Sequence, residues 1–151
     1  MKDAYEIAGT ILGTKLSGED RSRLDNFSDG EVLVMPGRYD QVQDVLDTVN
    51  VQYVLGHPTG DALRQARILI VNCPGDGVSG YELQVKDWVA AGGLLLTTDW
   101  AIEPLQRMFP ALIRWNGKTT RDECIKLDPR TVGKGGLVPS WDMTVPDQPV
   151  W

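Results

Sequence analysis

The sequence predicts an α/β protein in which a parallel sheet carries helices on both faces. Apolar strand patterns alternate with helical patterns along the chain, as parallel β-α-β units require. Three strand patterns, at 31–35, 68–72 and 94–98, are almost continuously apolar, as strands covered on both faces are. One stretch, 68–100, contains a whole unit: strand, glycine-rich loop, amphipathic helix, Gly-Gly stop and second strand. Fold class follows from these three observations.

Length and charge limit what such a protein does. The 151 residues suffice for one domain with a sizeable core. A formal charge of -6 and scattered basic residues argue against nucleic acid and anionic lipid as partners. No apolar run approaches the roughly 20 residues that cross a bilayer, and the first residues lack a signal-peptide pattern. We therefore expect a cytoplasmic protein with no membrane contact, in which both cysteines are reduced.

The first half of the chain predicts an arm followed by alternating elements. Glycines at 9, 13 and 18 interrupt the apolar pattern of residues 1–30, each costing about 1 kcal/mol in a helix. We expect a mostly irregular arm there, with a short helix near 18–27. Apolar spacing and turn residues then place the next four elements. These are a strand at 31–35, a helix at 38–50, a strand at 51–55 and a short helix at 61–66 capped by Thr59 or Gly60.

In the second half of the chain, strand and helix patterns continue to alternate until a region rich in proline and glycine begins. Ser79 and Glu82 match a capping box, and Gly92-Gly93 matches a helix stop. From 128 onward, prolines and glycines dominate. The predicted domains are an N-terminal arm (1–30), an α/β domain (31–127) and a Pro/Gly-rich tail (128–151). The predicted elements are a strand at 67–73, a helix at 79–91, a strand at 94–98, a helix at 102–109, and fifth and weaker sixth strands at 111–115 and 123–127.

These elements predict a sheet of five or six strands in the flavodoxin-like order 2-1-3-4-5. In such a sheet a binding crevice forms where the strand order reverses, between the carboxyl ends of strands one and three. The residues expected to bind a ligand there are Gly37, Arg38, Asn72, Gly75 and Asp76. The loop at 72–77 either binds an anion through its backbone amides or serves as a glycine-rich connector.

The order of elements and several short phrases resemble the class I glutamine amidotransferase-like superfamily, especially its trehalose-utilisation-like branch. The resemblance covers about 31–115. Its most typical part is Trp88 to Leu96, a helix end followed by Gly-Gly and a leucine-rich strand. In catalytic members of the superfamily a cysteine at a strand-to-helix elbow works with a downstream histidine. This chain has Asp99 near that elbow and no histidine after it, so the resemblance implies the fold without the catalytic triad.

Three further side chains are weak catalytic candidates, each with a structural alternative. Cys73 ends a buried strand, where it is either a nucleophile or a small packed thiol. Asp99 is either an acid/base group or the cap of the next helix. His57, the only histidine, is either a base or a surface residue. The sequence predicts no metal site and no cofactor, because no set of ligands with suitable spacing is present.

The leading functional prediction is a non-catalytic amidotransferase-like domain that serves protein interaction or assembly, with a protein partner or a second copy of the chain. It depends on the missing triad and on tryptophans in loops and the tail, since such residues often anchor partners. Whether the chain is an enzyme stays open at this point. The alternative is a small-molecule binder or hydrolase that uses the crevice around Cys73, Asp76 and Asp99.

Overall fold

A four-stranded, fully parallel sheet lies at the centre of this α/β protein. The computed structural model describes residues 2–115 and 117. It separates a unit of residues 1–114 from a second unit of residues 115–151, of which two residues are described. The strand order is β2-β1-β3-β4. The strands are β1 (Val32–Met35), β2 (Val54–Leu55), β3 (Ile68–Val71) and β4 (Leu94–Thr97). The helices are α1 (Lys2–Lys15), α2 (Gly18–Asp25), α3 (Val42–Thr48), α4 (Gly60–Gln65), α5 (Glu82–Ala90) and α6 (Ile102–Met108).

Helices cover both faces of this sheet, because alternate residues of its strands point to opposite sides. On one face, Leu33, Leu69 and Val71 pack with residues of α4, α5 and α6; we call this the α4–α6 cluster. On the other face, Val34 and Ile70 pack with residues of α2 and α3; we call this the α2–α3 cluster. The prediction of a parallel sheet with helices on both faces is confirmed, and the crossing from one face to the other lies between β1 and β3.

The N-terminal residues form helices, so the expectation of a mostly irregular arm is wrong. α1 runs through two of the three glycines, and α2 starts at the third. A Cβ on Gly9 would lie 3.0 Å from the Cβ of Thr48, which shows that α1 and α3 approach closely at this point. Tertiary packing therefore compensates for the low helix propensity of glycine. The short helix expected near 18–27 is confirmed as α2, with Ser17 as its N-cap.

The helix after the glycine-rich loop begins later than predicted, at Glu82 instead of Ser79. Gly80 has a φ of 88°, which a right-handed helix does not accommodate. Ser79 instead ends a 3-10 turn at Asp76–Val78, and Glu82 accepts a hydrogen bond from the amide of Gly80. The predicted capping box is therefore wrong. The predicted stop is confirmed: Gly92 has a φ of 105°.

The predicted fifth strand at 111–115 does not form. Turn and irregular backbone occupy these residues, and the amides of Leu112 and Ile113 both donate to the carbonyl of Phe109. Those turn bonds occupy donors that a strand would use, and Leu112 is 82% exposed. The weaker sixth strand at 123–127 and the tail at 128–151 lie outside the described residues.

Within the described part of the chain, no helix is both long and apolar enough to cross a bilayer.

Candidate functional site

The two loops predicted to flank a crevice lie side by side at the carboxyl ends of β1 and β3, but they touch each other. The amides of Arg38 and Tyr39 both point to the carbonyl of Cys73, at 2.9 and 3.5 Å. A Cβ on Gly37 would lie only 2.4 Å from that carbonyl oxygen and 2.6 Å from the Cβ of Asn72. Glycine is therefore required for the close approach of the β1–α3 loop to the end of β3. This contact fills the centre of the switch point with backbone.

Asn72 holds this junction together from inside the protein. Its side chain is fully buried, and its Oδ1 accepts the amide of Val42 at the start of α3, at 3.2 Å. Its Nδ2 donates to the Oε1 of Gln43 at 3.0 Å. A buried amide needs such partners, because an unsatisfied one costs about 1–3 kcal/mol. Since both polar atoms of Asn72 are engaged with α3, the side chain predicted to bind a ligand has a structural role in this arrangement.

Cys73 follows β3 and contacts the residues that follow β4, because the two strands are neighbours in the sheet. Its amide donates to the Oγ1 of Thr98 at 3.0 Å, and its Sγ lies 3.5 Å from Oδ2 of Asp99. The side chain is fully buried. Burial raises the pKa of the Cys73 thiol, and the Asp99 carboxylate raises it further, although a backbone hydrogen bond from Trp100 acts in the opposite direction. The thiol is therefore protonated at neutral pH, the opposite of an activated nucleophile.

Asp99 occupies an unusual backbone conformation directly after β4. Its φ is 40°, in the left-handed region that non-glycine residues seldom adopt. It begins a 3-10 turn, Asp99–Ala101, that leads into α6. The expectation that Asp99 caps the next helix is wrong, because Thr98 and Ala101 are the N-cap residues and neither cap carries a side-chain hydrogen bond. The structure thus brings Asp99 to Cys73.

Two of the remaining predicted site residues pair with each other. Arg38 and Asp76 form an ion pair at 3.2 Å, with both side chains exposed. An ion pair in this setting contributes less than about 1 kcal/mol. Gly75 precedes Asp76 in the left-handed conformation, and a Cβ there would lie 2.9 Å from Pro104. These features make the 72–77 loop a tightly packed connector, and Asp76 gives its outer side a negative charge.

His57 joins none of these groups. Its ring stacks on Tyr81, with centroids 6.0 Å apart and an interplanar angle of 17°. Among residues 2–115 and 117, no three His, Cys, Asp or Glu side chains are placed to hold a metal ion. The structure therefore brings Cys73 to Asp99 and Arg38 to Asp76, and it places His57 with an aromatic partner instead of a catalytic one.

The structure contains a cleft that the sequence does not indicate. It has a volume of about 210 Å³ and lies between α1, α2 and the end of α3. Gly9 and Gly13 of α1 line one side of the cleft, Arg21 of α2 lines another, and Asn50 lies just after α3. Ligand pockets are usually about 300–1,000 Å³, so this cleft is small for one. The only sequence signal for it is the Gly9/Gly13 spacing of four, which places both glycines on one side of α1.

The exposed surface of β4 is a second feature outside the crevice. Leu94 and Leu96 are 40% and 48% exposed, whereas Ile70, beside Leu96 in the sheet, is 3% exposed. Ile68 and Ile70 belong to the α2–α3 cluster, which includes no residue of β4. Leu95, which points to the other side, packs on the α4–α6 cluster. We use the name β4 surface for Leu94, Leu96 and the outer edge of this strand.

Comparison with known proteins does not assign a family to this arrangement. No family model matches the chain, and neither a curated protein nor a solved structure matches it.

Proposed function

We propose that this chain is a non-catalytic α/β domain that acts by binding protein, and that the β4 surface is the contact. The observation that carries the proposal is the exposure of Leu94 and Leu96 on a sheet face that the α2–α3 cluster covers over β1 and β3. Exposed apolar side chains grouped on one face favour association, because burying them removes apolar area from water. The proposal places the domain in the cytoplasm and retains the amidotransferase-like resemblance for the fold alone.

The crevice offers less support for the alternative, a small-molecule binder or hydrolase. Catalysis there needs several polar groups that converge on one free space. Gly37 packs against Asn72 and Cys73 instead, and burial keeps the thiol of Cys73 protonated. The contact between Cys73 and Asp99 is the strongest observation in favour of the alternative, and it joins one buried group to one exposed carboxylate.

A photoreactive amino acid placed at position 96 tests the proposal in the cells that make the protein. We expect illumination to produce a protein adduct at this position, because the side chain lies at the contact. The matched control is the same amino acid at position 83, since Leu83 is 73% exposed on α5, outside the β4 surface. Adducts at 96 but not at 83 that contain one recurring protein, identified from its peptides, support the proposal. Equal adducts at both positions, or none at 96, contradict it.

A further inference from the structure

We infer that the partner at the β4 surface is a second copy of this chain, joined by antiparallel pairing of two β4 strands about a two-fold axis. The inference rests on the proposed function and names its partner. Leu94 and Thr98 donate their amides to β3 or its flanking residue, at 3.0 and 3.2 Å. Because alternate residues of a strand point in opposite directions, the amides of Leu95 and Thr97 point away from β3.

The outer side of β4 is free among the described residues, where β3 is its one paired neighbour. Proteins usually protect such an edge with charge, proline, a bulge or a very short strand. Residues 92–98 contain no charged residue and no proline. The opposite edge differs, because β2 has only two residues. The unprotected edge is therefore β4, and the missing protection indicates that it pairs.

The side chains of β4 suit pairing with a copy of themselves. Antiparallel pairing centred on Leu95 makes the two Leu95 residues a hydrogen-bonded pair. In that register Leu94 of one chain lies beside Leu96 of the other, on the same face, and this contact occurs twice. A two-fold axis requires such self-complementarity. Two exposed apolar side chains per copy thus become two cross-strand apolar pairs, which stabilise paired strands.

Charge favours the antiparallel orientation over the parallel one. The amino end of β4 bonds to the carbonyl of Arg67, whose guanidinium pairs with Glu31 at 3.4 Å, and the carboxyl end of β4 leads directly into the exposed Asp99. Antiparallel pairing places the two Asp99 carboxylates at opposite ends of the paired strands. Parallel pairing would bring these like charges together. The uncharged strand between these ends lets the two chains meet despite a net charge of -6 on each.

Sedimentation equilibrium of the full chain tests this inference. We expect the wild type to have twice the monomer mass. Leu96→Lys places an ammonium in the apolar contact and should raise the dissociation constant about 100-fold or more. Thr97→Pro removes an amide that points outward and no donor to β3, so it should weaken the dimer while the bonds to β3 remain. Leu83→Lys is the matched control and should remain dimeric. Circular dichroism verifies that each variant is folded.

The possible results separate this inference from the proposed function. A wild-type dimer that Leu96→Lys and Thr97→Pro dissociate supports it. A wild-type monomer overturns it, and so does a dimer that both folded variants retain. A monomer that still gives an adduct with another protein at position 96 overturns the second copy and leaves the proposed function in place. If either variant fails to fold, the concentration dependence of hydrogen exchange in the wild type decides the question.

Discussion

Gly37 determines how the β1–α3 loop meets the end of β3, so its substitution tests the closed crevice. A Cβ at this position would lie within 2.6 Å of Asn72 and Cys73, which are both buried. We expect Gly37→Ala to lower the free energy of unfolding by about 1–3 kcal/mol, because crowded atoms must shift. Gly18→Ala is the control, since no atom lies within 4 Å of its Cβ. Urea unfolding measures both, and equal stability of the two variants would contradict the close contact.

The thiol of Cys73 gives a second prediction at the scale of one residue. Burial keeps it protonated and inaccessible, so iodoacetamide should alkylate it slowly in the native protein and rapidly in urea. A Cys124→Ser background restricts the reaction to this thiol. Fast alkylation of the folded chain at neutral pH would refute the structural role and favour the catalytic alternative.

The same raised pKa predicts the direction of a pH effect. Above the unfolded value near 9, the unfolded chain loses the Cys73 proton while the native chain keeps it. The native state then binds more protons, so the free energy of unfolding falls as pH rises from about 9 towards the folded pKa. Below that range this contribution is fully present. A Cys73→Ala variant should show a smaller decrease in stability over this alkaline range.

At the scale of elements, helices α4 and α5 provide one buried and one exposed leucine for comparison. Leu63 of α4 is 4% exposed, whereas Leu83 of α5 is 73% exposed. Leu63→Ala should lower the free energy of unfolding by about 2–5 kcal/mol, because it leaves a cavity. Leu83→Ala should change it by less than about 0.5 kcal/mol. Chemical denaturation compares them, and a large effect at Leu83 would show that α5 faces the core differently.

Elements whose signal is local were predictable from the sequence. The strands β1, β3 and β4 and the capped helix α4 follow directly from apolar runs and from Thr59. α1 was not predictable from local sequence. Its Gly9 allows close contact with Thr48, which lies 39 positions further along the chain, and local apolar spacing does not reveal such a contact. The start of α5 was missed because the backbone of Gly80 overrides the capping pattern at Ser79.

The candidate site shows the same division between local and distant causes. The adjacency of the β1 and β3 loops follows from strand order, so the location of this junction was predictable. Its closure depends on the contact of Gly37 with Asn72 and Cys73, and only the folded chain shows this distance. The pairing of Cys73 with Asp99 likewise depends on neighbouring strands. Spacing along the sequence alone does not distinguish that pair from a catalytic one.

At the scale of the whole molecule, the sheet has two different edges and its faces are unequally covered. Both edge strands are partly exposed, but β2 has only two residues, whereas β4 has four and is uncharged. A surface of this kind is a liability for a monomer, because free strands pair with other chains. We propose that association covers this edge and that the polar groups at the strand ends hold the loops together.

Hydrogen exchange at β4, followed residue by residue as protein concentration changes, tests this central claim most directly. The amide of Leu94 points to β3 and should be protected at every concentration. We expect the outward amides of Leu95 and Thr97 to exchange rapidly in dilute solution and slowly in concentrated solution, as the second copy binds. If both outward amides exchange rapidly at all concentrations, β4 is a free edge. If both are protected at all concentrations in a monomer, a segment of the same chain covers them. Either result would contradict the account.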